Sequence, residues 1–344
     1  MSTSVKPVIG VHVIKDPEAG GVFVRQALDQ GNFLPVLRER GLDVVVTNKA
    51  SFDKGGVWLS PSVTKDGELS FSEEHAAVDG LVAVYSRVVL SHPYIDTIGV
   101  PQLNPTSVKE YGRSKSNMIG SFGELGIPTS VVSDESLDDL DLENFEDFVV
   151  KPANGRLGAG FQRVSRQDVV STLEHVFSSN QKAECVVQPY LGVGKISGGI
   201  VGVSKEDQAL IELARQNNVP SELRIFVIKN STGCQTIPVL RIAAKDTQYL
   251  DGNDVYVDVE LTQDVDVSLC EYSAVIVGQT AQTIGTESPI VAAVDYLYDG
   301  NQYWVMEANF RTPTLPQTSS NPHTAKHIYP VIADTLYEMN GGGQ

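Results

Sequence analysis

The chain has 344 residues, 41 % hydrophobic and 20 % charged, with 26 Lys and Arg against 43 Asp and Glu and a formal net charge of −17. That length supports two or three domains with buried cores, and the composition is ordinary for a soluble globular protein. The acidic balance argues against nucleic acid and anionic membrane as partners, because both need a basic footprint.

Residues 8–14 read as a first strand, 22–40 as a helical stretch closed by Gly41, and 42–47, 80–89 and 99–103 as further strands. Strands alternating with helices predict an open parallel α/β sheet over roughly the first hundred residues. A helix is expected to start near Ser107 or Ser114 and run to Leu125, followed by the Gly126-Ile127-Pro128 break and a strand at 129–132. The acid-rich run 134–147 reads as a solvated linker helix. Beyond it come a short β run at 148–152, a glycine-rich loop, a returning strand at 161–164, a helix at 168–178 and a strand at 185–191. Residues 192–221 are rich in Gly and polar side chains, with a helical piece near 205–216; 223–229 and 236–243 read as paired antiparallel strands, and 266–285 as a helix. Cys185, Cys234 and Cys270 lack metal-ligand spacing and read as buried free thiols of a reducing compartment. No signal segment and no long apolar run is visible, so a cytoplasmic location is expected.

Two segments carry chemistry. In the first, Lys151 ends an apolar strand and precedes Gly155, Gly158 and Gly160. Glycines let backbone N–H groups approach a polyphosphate, and a strand–glycine loop–strand with a nearby lysine is a recurring nucleotide clamp, although this is not the Walker pattern. In the second, residues 291–316, two strands flank the turn Asp299-Gly300-Asn301. Residues i and i+2 of a strand share a face, so Glu307 and Asn309 point the same way. With the loop centred on Asn301, Asp295 falls opposite Glu307. Two carboxylates and an amide oxygen then converge, a hard-oxygen set that suits Mg²⁺ held between protein and phosphates. The bland alternative is a set of solvated or hydrogen-bonded strand-end acids. His323 and His327, spaced i,i+4, read as one face of a terminal helix.

From about Asn104 to Pro316 the order of these features resembles the ATP-grasp carboxylate–amine ligases, especially those similar to glutathione synthetase and the glutamate ligases that modify ribosomal protein tails. Arg113-Ser114-Lys115 followed by Glu124 to Thr129 looks like the first lysine helix and its break, which makes Lys115 a phosphate ligand; Lys151 matches the second lysine. Gln188-Pro189-Tyr190-Leu191 resembles the interlobe hinge that meets adenine through backbone groups, and Glu222 is placed for the ribose hydroxyls. Arg224 and Arg241 stand as the catalytic arginines, Arg241 at the transferring phosphate, and Asp295, Glu307 and Asn309 as metal ligands. The resemblance implies an α/β protein: an open parallel-sheet domain at 1–103, a small ATP-grasp lobe with the glycine-rich loop at 104–190, and a large lobe with the metal site at 191–344. ATP and two Mg²⁺ ions, with Mn²⁺ as an alternative, are the implied cofactors.

Two departures are visible. Gln188 stands where an acid is common, and neither the thirty residues 192–221 nor the stretch 246–253 follows the pattern of compact relatives. The expectation is therefore that residues 1–100, 192–221 and 246–266 shape the substrate pocket, with Arg87 and Arg311 as candidate carboxylate clamps. The implied reaction joins a small carboxylate to an amine or amino acid, a peptide among the candidates, through an acyl phosphate, and is compatible with a homo-oligomer. A small-molecule kinase on the same scaffold would need clustered Lys and Arg that this acidic chain lacks, and a non-catalytic ATP-binding regulator would be free to lose Asp295, Glu307 or Arg241, all present here.

Overall fold

The structure, a computed structural model, describes residues 7–13, 28–29, 32–48, 58–64, 69–75, 81–86, 93–140, 142, 145–154, 160–179, 183–243, 254–310, 313, 315 and 321–341. The N-terminal part comprises β1 (Val8–Val13), α1 (Phe33–Glu39), β2 (Asp43–Asn48), β3 (Trp58–Val63), β4 (Leu69–His75), β5 (Leu81–Ser86), α2 (Pro93–Thr97) and β6 (Gln102–Leu103). Its sheet runs β4-β3-β2-β1-β5-β6. The four strands β2-β1-β5-β6 are parallel, as expected. The antiparallel hairpin β3–β4 that extends the edge was not foreseen. Pro61 sits inside β3 and Ser and Glu fill β4, a composition tolerated at an edge and silent as a strand signal. The helix expected at 22–40 is interrupted: the described residues Leu28, Asp29 and Asn32 are not α-helical, Asp29 having φ 48°, and the helix that forms is α1. It ends where Gly41 takes the left-handed conformation, φ 74°.

The expected helix from 107 to 125 is two short ones, α3 (Thr106–Tyr111) and α4 (Lys115–Ile119), separated at Gly112. Ser114 caps α4 by accepting from the Ser116 N–H. A second sheet follows in the order β7-β10-β8-β9, built from β7 (Ser130–Val132), β8 (Asp147–Pro152), β9 (Gln162–Ser165) and, after α5 (Val169–Ser179), β10 (Cys185–Pro189). The acidic run is not a linker helix. Asp134–Asp139 forms a single 3-10 segment, and Leu137, Leu140, Leu142 and Phe145 pack against the core beneath the small sheet. The acids that dominate its composition hide a buried apolar side.

The third sheet runs β11-β14-β13-β12-β15-β16. Its strands are β11 (Ile200–Gly202), β12 (Ser221–Lys229), β13 (Cys234–Ile242), β14 (Val255–Leu261), β15 (Ile290–Tyr298) and β16 (Tyr303–Asn309), with helices α6 (Lys205–Gln216), α7 (Asp264–Ile284) and α8 (Pro322–Glu338). Alternation along β12 sorts its faces. Leu223, Ile225 and Val227 join the core with α7, where Ile196, Ile200, Ile211 and Ala214 also pack. Phe226 and Ile228, on the other face, join a core shared with the N-terminal sheet and α8. Ile196, Ile200, Ile211 and Ala214 therefore pack on the face opposite Glu222 and Arg224. Gly194 serves close approach: a Cβ on it would sit 2.1 Å from the Ser221 carbonyl oxygen.

The N-terminal and large sheets are also stapled by Asn104, which is buried with φ 58°. Its side-chain amide donates to the carbonyls of Val291 (2.7 Å) and Phe310 (2.9 Å), and its Oδ1 accepts from the Val291 N–H (2.6 Å). Cys185 is buried, whereas Cys234 is exposed at the start of β13, contrary to expectation. His323 and His327 do share one face of α8, ring centroids 4.5 Å apart. Among the described residues no helix is long and apolar enough to cross a membrane.

Candidate active site

Register brings the charged residues together. Across the large sheet, Glu222 pairs with Arg241, Arg224 with Asp295, and Asp295 with Glu307. The last pairing was expected, but by a different route. The hairpin closes on Tyr298 and Tyr303, half a residue short of a loop centred on Asn301. A bulge between Asp295 and Tyr296 on one strand leaves Met306 as the extra residue on the other and restores the Asp295–Glu307 match. Asn309 completes the group: its amide nitrogen lies 3.0 Å from Asp295 Oδ2 and 2.9 Å from Glu307 Oε1.

Behind this trio lies an ion-pair network. Arg224, 5 % exposed, holds Asp295 with two parallel bonds of 2.6 Å and reaches the Tyr256 hydroxyl at 3.1 Å. Arg241 bonds Glu222 at 2.6 Å and Asp254 at 2.5 Å and lies 3.8 Å from Asp295. Burial alone would lower both arginine pKa values, but the adjacent carboxylates outweigh it and raise them, so both guanidiniums stay charged. Burial and the repulsion of Asp295 push the Glu222 carboxyl up to about 8, against the pull of Arg241 and Arg224.

The small sheet faces this network across a cleft. Phe148 and Val150 of β8 and Cys185 and Val187 of β10 pack on α5, which turns Lys151, Val186 and Gln188 to the opposite face. Those three, with Lys115, Met118, Ile119, Phe122, Met306 and Glu307, line a cleft open to solvent. Burial lowers the Lys151 pKa; Glu307 opposes that shift and Lys115 adds to it. Along the hinge, β7 pairs with β10 only over Cys185–Val187. Gln188 donates through its side chain to Thr129 Oγ1 at 2.8 Å, and the Tyr190 N–H donates to the Asp147 carbonyl at 2.8 Å. Pro189 pairs with Phe148, and Leu191 follows directly beyond the strand. Gly160 has φ 76°, and a Cβ there would meet Pro152 at 2.8 Å. Gly155, Gly158, Arg87 and Arg311 lie outside the described residues.

No family model matches the sequence, and no curated protein matches it. Solved structures do match. D-cycloserine synthetase DcsG is 16 % identical with a TM-score of 0.58, covering 96 % of this chain and 99 % of that one. D-alanyl-alanine synthetase A from Vibrio cholerae is 12 % identical with a TM-score of 0.59, covering 98 % and 99 %. The D-alanine–D-alanine ligase from Bacillus anthracis, solved with ATP, is 15 % identical with a TM-score of 0.56, covering 98 % of each chain. The fold is that of the ATP-grasp ligases.

On this ATP-grasp fold the cleft lies between the small and large sheets, and it gathers Lys115, Lys151, Gln188 and Glu307 from widely separated positions. Sequence reasoning missed Asp254 and Tyr256. Their signal was present: Asp254, Tyr256 and Asp258 alternate with Val255 and Val257, the period of a strand with one polar face. Met306 and Thr129 were missed for lack of any signal, since a bulge and a hydroxyl under a hinge leave no pattern. Among the described residues no three His, Cys, Asp or Glu side chains form a metal cage. Two carboxylates and one amide suit a cation whose remaining ligands are phosphate and water.

Proposed function

We propose that the protein is an ATP- and Mg²⁺-dependent ligase that joins a carboxylate to an amine and releases ADP and phosphate. The observation that carries this reading is Glu307, bonded to Asn309 above the buried Asp295, facing Lys151 and Lys115 across the cleft of an ATP-grasp fold. Hard oxygen donors beside two lysines fit a metal–triphosphate and little else. Glu307 and Asn309, both partly exposed, would hold Mg²⁺, with Asp295 beneath them. The Asn309 amide presents its oxygen to a cation after a half-turn of its terminal torsion. A metal ion held there would supply charge neutralisation on the triphosphate.

The rest falls to side chains. Lys151 and Lys115 bind phosphate oxygens, and a partly desolvated Lys151 ammonium interacts more strongly there than one in water. The Glu222 carboxyl group receives the ribose hydroxyls, and the Gln188–Leu191 backbone the adenine. Arg241 meets the phosphoryl group as the substrate carboxylate oxygen attacks it and the bond to ADP breaks. Amine attack on the resulting acyl phosphate expels inorganic phosphate, and the nitrogen loses a proton. Arg224 serves by fixing Asp295. The neighbours named as D-alanine ligases support amino acids as the substrate class.

The test is ADP and phosphate release with panels of amino acids and small carboxylates, singly and in pairs, with amide formation followed by mass spectrometry. ADP release matched by phosphate and a condensed product supports the ligase. ADP with a phosphorylated substrate and no free phosphate identifies a kinase instead.

A further inference from the structure

We propose that Asp254 is a positioning residue that keeps Arg241 aimed at the transferring phosphate, an inference that rests on the ligase reading above. Arg241 is held from two sides. Its Nη1 bonds Glu222 Oε1 at 2.6 Å on β12, and its Nη2 bonds Asp254 Oδ2 at 2.5 Å, one residue before β14. Tyr256, two residues beyond Asp254 on the same strand face, pairs in register with Arg241 and sets its ring 5.7 Å from the guanidinium. The Asp254 side chain is 1 % exposed, against 11 % for Arg241.

The two anchors are not equivalent. Glu222 is the group assigned to the ribose, so a bound nucleotide draws its carboxylate away from Arg241. Asp254 bonds the other guanidinium nitrogen, Nη2, and its side chain is 1 % exposed. It is the anchor that persists while phosphate is transferred. Two polar atoms inside the pair, Arg241 Nε and Asp254 Oδ1, have no hydrogen-bond partner among the described residues. Removing Asp254 would strand a second guanidinium nitrogen, and the group would turn toward whichever carboxylate remained. Misplacement of a catalytic group by about 1 Å costs on the order of 100-fold in rate.

The test is steady-state kinetics of Asp254→Ala, Asp254→Asn, Arg241→Lys and the double variant Arg241→Lys/Asp254→Ala, with the substrate pair found by the screen. Asp254→Ala should lower kcat by about 10- to 100-fold with KM for ATP changed by less than about twofold. Asp254→Asn, which keeps an acceptor for Nη2 and guards against loss of folding, should retain more of the rate. The double variant should be no slower than Arg241→Lys alone, because Asp254 acts only through Arg241. Multiplicative losses in the double variant, or a raised KM with unchanged kcat, overturn the proposal and leave the ligase reading standing. A parent protein that forms no ADP with any carboxylate–amine pair refutes that reading, and this role with it.

Discussion

Glu222 and Arg224 point to the same face of the large sheet as Phe226 and Ile228, yet the two halves of that face are held by different forces. At one end, Arg224, Arg241, Glu222, Asp254 and Asp295 are locked by directional bonds of 2.5–2.6 Å. At the other, Phe226, Ile228, Val239, Val291 and Ala293 are packed by volume against the N-terminal sheet and α8. A polar half of this kind accepts only replacements that keep charge and hydrogen bonds matched. An apolar half accepts any that keep its shape.

The largest effects should come from breaking each half. Arg224→Leu leaves Asp295 buried without its countercharge and should cost about 3–5 kcal/mol in denaturant unfolding. Phe226→Ala, by cavity formation, should cost about the same. The two separate on rescue: adding Asp295→Leu to Arg224→Leu should recover most of the loss, whereas Phe226→Ala should recover only with a neighbouring enlargement. A double variant as unstable as Arg224→Leu alone would end the contrast.

A next effect, on activity rather than stability, tests the outer edge of the polar half. Glu307→Gln keeps shape and should lower metal-dependent ADP formation by about 100-fold, with the thermal midpoint little changed. ADP formation at the parent rate would remove Glu307 from the metal site. Across the cleft, Lys151→Ala should weaken ATP binding by at least about tenfold, roughly 1.4 kcal/mol, measured by calorimetry; unchanged affinity would take the lysine out of the phosphate site.

The last expected effect is a slope. With its carboxyl raised to about 8 by burial and by Asp295, folded Glu222 keeps a proton that the unfolded chain releases. The associated stability is complete below the ordinary glutamate pKa of about 4.3 and is lost as pH rises through about 8. Glu222→Gln should flatten the pH dependence of unfolding across that window, and an unaltered slope would show that another group carries it.

What the sequence made legible follows the same division. Glu307 and Asn309 were found because i and i+2 on a strand share a face, and Asp295 because hairpins pair by symmetry, even though a bulge at Met306 rather than the loop centre delivers the match. The packing role of Gly194 against Ser221 was not legible, because a glycine that allows close approach reads like a glycine of an open loop. The β3–β4 hairpin was lost to Pro61 and its serines. Asp254 was overlooked beside a segment that departs from the family pattern, although its alternation with Val255 was plain.

Asn104 has a consequence for synthesis. Its side chain bonds residues 187 and 206 positions further along. On a ribosome adding about 5–20 residues per second, the last of those partners emerges some 10–40 s after Asn104 itself. Until then the segment joining the first sheet to the rest lacks its two acceptors and its donor. The Asn104 staple between the N-terminal and large sheets therefore closes only after β15 and β16 have been made.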